Sequence, residues 1–334
     1  MRNRLLLYLL FFVPVLTISC RTDFDVNEKW TEIDVVYGLL DANDTAQYIK
    51  ISKAFLNQDQ SAYKIAGIED SLFHKDSLDV RMQEMRNGNV QNDVKLQKVY
   101  LTNKDSGTFS APGQYLYKTP ADYKLNADVV YRLIVRNTST NVTAISTTPI
   151  VGNISPTFPN SQSTITFPRG LNRPVNFGSG RNARFYEMNI FINYSEYDAA
   201  TNALLKEDAI RWPVFSNYLN TGSAAGNDIR FTIRGDDFYR IIADNLQPKS
   251  NVYRKLGLID FQITGGGEEI FNYMNVYKPA IGIVQKKPEY TNIENGQGIF
   301  SSRNKTVISV PASNTTIDEL TKSGTNTSNL NFRK

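Results

Sequence analysis

Apolar and polar positions alternate at period two through much of the first 150 residues. In YIKISKAF (48–55), Tyr48, Lys50, Ser52 and Ala54 fall on one side, and Ile49, Ile51, Lys53 and Phe55 on the other. That is the pattern of a strand. The runs IDVVYGLL (33–40), AQYIKISKAF (46–55), DSLDVRMQEM (76–85), DVKLQKVYLT (93–102), VVYRLIVRN (129–137) and VTAISTTPIV (142–151) are rich in Val, Ile, Tyr and Thr and read as strands. Between them stand DANDT (41–45), RNGN (86–89), APGQ (111–114) and NTSTN (137–141), whose Asn, Asp, Gly and Pro residues favour turns. The stretch VYRLIVRNTSTNVTAISTTP predicts a hairpin closing an immunoglobulin-like or fibronectin-like antiparallel β-sandwich.

The pattern changes at VGNISPTFPNSQSTITFP (151–168), where three prolines among Ser, Thr and Asn predict a boundary. Beyond it, RFYEMNIFINYSEY (184–197), IRFTIRG (229–235), KLGLIDFQITGGG (255–267) and TVISVP (306–311) read as strands. GDDFYRIIADNL (235–246) reads as a helix with Phe238, Ile241, Ile242 and Leu246 on one face and Asp236 as N-cap. The fold class expected is therefore mainly β. A sandwich over 31–152 is followed by a linker (153–168), a second β-rich domain with a few short helices (169–311) and a loosely packed polar tail (312–334).

The N-terminus has its own pattern. Arg2 and Arg4 precede LLLYLLFFVPVL (5–16), an apolar run of 12 residues. A membrane-spanning helix needs about 20, so the run has the size of a signal-peptide core. It ends in L-T-I-S-C, and Cys20 is the chain's single cysteine. The sequence resembles a bacterial lipobox, with Thr17 where Leu is usual. The expectation is a signal peptide over 1–19, a tether over 20–30, and palmitate-type acylation of Cys20. Each buried methylene of such an anchor contributes about 0.8 kcal/mol. Removing residues 1–19 takes away Arg2 and Arg4 and no carboxylate, so the formal charge of +4 falls to +2. That balance leaves no electrostatic footprint for nucleic acid.

Candidate chemistry is sparse. One His and one Cys exclude Cys/His zinc sites and internal disulfides. His74, in LFHKD, reads as an exposed loop residue with no nucleophile elbow near it. Asp236/Asp237 and Glu268/Glu269 are adjacent pairs; the first reads as a helix cap and the second as the start of a solvated helix, EEIFNYMNVY. Asp41 and Asn43 match the opening of a calcium loop, but Thr45, Ala46 and Ser52 break it, and a hairpin turn fits better. NQDQS (57–61) also offers oxygen ligands, and GQGIFS (296–301) reads as a turn lacking the third glycine of a dinucleotide fingerprint. The 18 Tyr and 18 Phe against 2 Trp favour sheet packing over sugar stacking. No catalytic, cofactor or metal residue is assigned.

VVYGLLDANDTAQYIKISKAF (35–55) and KPEYTNIENGQGIFSSR (287–303), with its Tyr290–Phe300 signature, resemble a family of Bacteroidota lipoproteins carrying a domain of unknown function, the one numbered 4249. The resemblance implies outer-membrane attachment beside a TonB-dependent β-barrel receptor, on a face of the membrane it does not specify. It also implies O-glycosylation at D-[ST]-x triplets, here on Thr45, Ser71 and Ser77. The function expected is a non-enzymatic lipoprotein that binds or scaffolds an outer-membrane complex. The alternative is a carboxylate-dependent glycan hydrolase or a glycan-binding surface lipoprotein.

Overall fold

The computed structural model describes residues 33–54, 68–102, 113–220, 225–278 and 289–334. The signal peptide, the tether with Cys20, and NQDQS lie outside them. Residues Ile33–Lys334 belong to one compact unit, and the chain is mainly β with several antiparallel sheets.

The first half contributes β1 (Asp34–Asp41), β2 (Tyr48–Lys53), a one-turn helix α1 (Glu69–Leu72), β3 (Leu78–Arg86), β4 (Asn89–Lys95), β5 (Gln97–Leu101), β6 (Gln114–Lys118), β7 (Val130–Asn137) and β8 (Val142–Pro149). The second half contributes β9 (Ser155–Phe158), β10 (Asn172–Gly178), β11 (Phe185–Asp198), β12 (Leu204–Leu219), β13 (Asp228–Arg234) and α2 (Gly235–Asn245). It ends with β14 (Val252–Gly266), α3 (Glu268–Val276), β15 (Gly296–Val310) and α4 (Asn314–Thr321). The RNGN hairpin between β3 and β4 has Asn87 at φ 50° and Gly88 at φ 79°, the left-handed pair that tight hairpins require.

An eight-stranded sheet in the order β12-β11-β14-β15-β1-β2-β6-β5 is accompanied by a four-stranded sheet, β4-β3-β7-β8, and a three-stranded one, β13-β10-β9. Two cores result. One gathers Val36, Ile49, Ile51, Met82, Tyr131, Leu133 and Phe300; the other gathers Phe177, Ile190, Ile192, Phe238, Phe261, Ile308 and Val310. Fully burying one such side chain is worth about 1.5–3 kcal/mol.

β15 belongs to both cores. Its residues Gly296–Arg303 pair in parallel with β1, and Arg303–Val310 pair antiparallel with β14. Phe300 enters the first core and Ile308 and Val310 the second. Of the residues between them on the same side, Ser302 and Asn304 are fully buried yet polar. They meet the segment that crosses from one core to the other: Ser302 Oγ donates to the Pro149 carbonyl and accepts from Val151 N, and Asn304 Nδ2 donates to Asn153 Oδ1.

Several expectations need correction. The 153–168 segment is no free linker: β9 pairs with β10, and Ile154, Ile165 and Phe167 are buried. The 312–334 tail is packed, with Leu320, Leu330 and Phe332 in the second core. The run 93–102 is two strands in different sheets, because Leu96 turns into the core between β4 and β5. Asp236 is not the N-cap; Arg234 is, without a side-chain cap, while the Asp236 carboxylate accepts from Gly170 N. Asp236 and Asp237 still sit in the first turn of α2, where the helix dipole favours negative charge. GQGIFS is the start of β15, not a turn.

A tyrosine face as candidate binding surface

Alternation in β1 and β2 sends Val36, Leu40, Ile49 and Ile51 into the core and leaves Tyr37 and Tyr48 on the opposite face, 41% and 40% exposed. Tyr37 pairs with Lys50 across the antiparallel ladder, so Tyr48, two residues from Lys50, is its diagonal neighbour at roughly 7–8 Å. Lys118 on β6 lies directly opposite Tyr48, its ammonium 5.7 Å from the ring centroid.

Helix α3 extends this face. Its first turn is held on β15 by Ser301, whose hydroxyl accepts from Ile270 N and donates to Glu269 Oε2, while Thr148 donates to the same oxygen. Glu268 instead pairs with Arg184 at 3.0 Å. So anchored, the helix brings Tyr273 to Tyr37; burial and the hydrogen bond to Tyr37 push the Tyr273 hydroxyl up to about 12. Tyr277 packs on Tyr273 with ring centroids 4.5 Å apart and is itself 49% exposed. Tyr48, Tyr37, Tyr273 and Tyr277 thus form one aromatic surface from three parts of the chain. Tyrosine offers large contact area and a polar tip at low entropic cost, as binding surfaces require.

The other candidates resolve differently. His74 is buried rather than exposed: its Nε2 lies 2.8 Å from Asp34 Oδ1 and its Nδ1 3.4 Å from Ser77 Oγ. The order of groups is that of a Ser-His-Asp relay. Yet Ser77 does not line the cavity of about 440 Å³ beside His74, whose walls include Phe73, Lys98, Tyr100 and Tyr115. Ser77 also fixes the start of β3 by accepting from Thr138 N and Oγ1 at its carbonyl. The cluster fastens β1 to β3. No signal in the sequence joined Asp34 to His74, because the contact joins β1 to a connecting segment 40 residues further along the chain.

Asp41 is fully buried; burial pushes its carboxyl up, although it accepts from Asn43 N and has Oδ2 3.3 Å from Arg303 Nε. Asn43 donates to the Lys305 carbonyl, so this turn is braced by protein groups. Asp237 pairs with Arg240, apart from the Asp236 contact. Among the described residues no three His, Cys, Asp or Glu side chains are grouped to hold a metal. An acidic trough of about 650 Å³ lies over β11, β12 and β14, lined by Asn193, Glu207, Asp208, Leu258 and Asp260. Asp260 accepts from Asn193, and the Lys206 ammonium bonded to Asp208 holds that carboxyl below its usual range. Thr45 is exposed in the β1–β2 turn; Ser71 and Ser77 are half-buried.

Comparison with known proteins returns no matching family model and no matching curated protein. Among the described residues no helix is long and apolar enough to cross a membrane.

Proposed function

We propose that the chain is a non-enzymatic outer-membrane lipoprotein, anchored through Cys20, that binds or scaffolds a partner in an outer-membrane complex such as a TonB-dependent receptor. The observation that carries the binding role is the tyrosine surface of Tyr37, Tyr48, Tyr273 and Tyr277 on the outer side of the eight-stranded sheet. The lipobox-like L-T-I-S-C and the resemblance to Bacteroidota lipoproteins support the anchoring. A photo-crosslinking residue at Tyr48, set against one at exposed Gln91 on β4, tests the reading in intact cells. One β-barrel partner captured from position 48 and not from 91 is the expected result; equal, diffuse capture from both refutes it. Palmitate labelling that Cys20→Ser abolishes tests the anchor.

The acidic trough favours the second reading, glycan binding or hydrolysis. A Tyr48 crosslink to no protein, together with glycan binding lost in Asp260→Asn, would replace the first reading with this one.

A further inference from the structure

The described body begins with a strand that is fastened on both sides and at both ends. Eight consecutive residues of β1, Asp34–Asp41, pair in parallel with Gly296–Arg303 of β15, and Asp34–Gly38 pair antiparallel with β2. At one end the Asp34 carboxylate, 3% exposed, meets His74. At the other, Asp41 meets Arg303, while its backbone N donates to Gln47 Oε1 and its carbonyl accepts from Gln47 Nε2. Beyond Arg303, β15 continues into the second core through Ile308 and Val310.

We propose that β1 is a shear clamp for the N-terminal tether: a load arriving at Asp34 is borne by the whole β1–β15 ladder at once. The proposal rests on the anchoring at Cys20 described above, because the anchor supplies the load. Parallel strands run the same way. Pulling β1 by its N-terminus while β15 is held toward its C-terminus therefore slides one strand along the other. Sliding strains all the bonds of the ladder together, whereas a strand pulled sideways from one end opens rung by rung. The ties at Asp34 and Asp41 oppose the same displacement. A protein fixed to a membrane at one end and to a large partner at the other meets such loads.

Cys20 is the only native thiol and serves as a handle. The mature chain 20–334, made without lipid, is given a second handle by Ala200→Cys in the exposed turn between β11 and β12, and is pulled between the two in optical tweezers. The expected record is one event releasing the folded residues between the handles, roughly 500 Å of chain. Moving the first handle to the other end of β1, with Cys20→Ser and Thr45→Cys, is expected to lose that single event and give stepwise opening. An early release of about 30 Å, the length of eight extended residues, before the main event in the first geometry overturns the clamp. So does the same record from both handle positions. Palmitate labelling of Cys20 in cells reports on the anchor alone, so a failed clamp and a failed anchor give different results.

Discussion

Glu196→Gln tests how the C-terminal segment is held. Arg254 on β14 is 1% exposed, and its guanidinium donates from Nε and Nη2 to Glu196 Oε1 at 3.0 and 2.7 Å. The remaining donors reach the carbonyls of Leu330 and Gln247, both at 2.9 Å. Lys249 takes the other Glu196 oxygen at 2.7 Å. The Arg254 backbone meanwhile bonds Asn331 and Arg333, so this one residue joins β14 to the last residues of the chain. Replacing Glu196 by Gln keeps its volume but leaves a buried guanidinium facing only neutral groups, a loss of about 3–5 kcal/mol. At 2–4 °C per kcal/mol, melting should fall by roughly 6–20 °C. Burial alone would raise the Glu196 carboxyl, but the hydrogen bonds from Lys249 and Arg254 outweigh it and hold the carboxyl below its usual 4.5. A carboxyl lowered on folding contributes its stability in full above the unfolded value and loses it as pH falls through the folded one. The gap between wild type and Glu196→Gln should therefore be widest near neutral pH and close below about pH 4.5. Urea unfolding followed by circular dichroism across pH reads both. A gap under about 1 kcal/mol at pH 7, the level of a surface pair, refutes the reasoning, and so does a gap independent of pH.

Asp41→Asn should show the opposite slope, because burial raises the Asp41 carboxyl above its usual 3.8. Its contribution is present below that value and lost as pH rises through the folded one, so in the same urea series the wild-type advantage over Asp41→Asn should shrink with rising pH. Gly298→Ala should cost more than about 2 kcal/mol, since its φ of 106° is strained for any side chain and a Cβ would lie 2.0 Å from the Val36 carbonyl oxygen. Gly88→Ala, also at positive φ but with nothing within 4 Å, should cost only about 1 kcal/mol. Tyr37→Ala with Tyr48→Ala should leave the melting temperature within about 3 °C of wild type yet abolish partner capture by a photo-crosslinking residue placed at Tyr277; retained capture removes the tyrosine surface from consideration.

What the sequence showed was the part of the fold governed by local alternation. β1, β2 and β7 each bury every second residue against one core, and their Val, Ile, Leu and Tyr positions announced it. β15 was legible only at its C-terminal end, TVISVP, while its start, GQGIFS, has the look of a turn. Its middle, Ser-Ser-Arg-Asn-Lys, looks like a loop because its inward residues face a backbone crossing, which needs hydrogen-bonding side chains rather than apolar ones. β12 was missed for a related reason. At the sheet edge it exposes Leu204–Ala209 on both sides and shows no period until Ile210 and Trp212 reach the core. The tail looked polar because the three residues that bury it, Leu320, Leu330 and Phe332, are far apart, and the partner that fixes their path is the charged side chain of Arg254. Of the tyrosine surface, Tyr37 and Tyr48 could have been found from their shared phase on neighbouring strands. Tyr273 could not, since the Ser301–Glu269 contact that positions α3 joins elements whose adjacency no local pattern encodes.

The 151–168 boundary was half right, and the reason bears on function. The core does change there: residues up to Ile150 line one and residues from Val151 the other, with Ile293 and Phe300 as the late contributors to the first. What prevents two independent domains is that the first core is finished by residues from near the end of the chain. A fragment ending at residue 152 would lack β15, leaving β1 without its parallel partner and Val36, Leu40 and Ile49 without Phe300. It should therefore show no cooperative melt, whereas a chain truncated after Val310 keeps every strand of both cores and should still melt cooperatively, at lower temperature. A tyrosine surface assembled from β1, β2 and α3 consequently exists only when nearly the whole chain has folded. Partner binding through it would report a completed body, and the isolated 1–152 fragment should fail to compete for the Tyr48 crosslink even in excess.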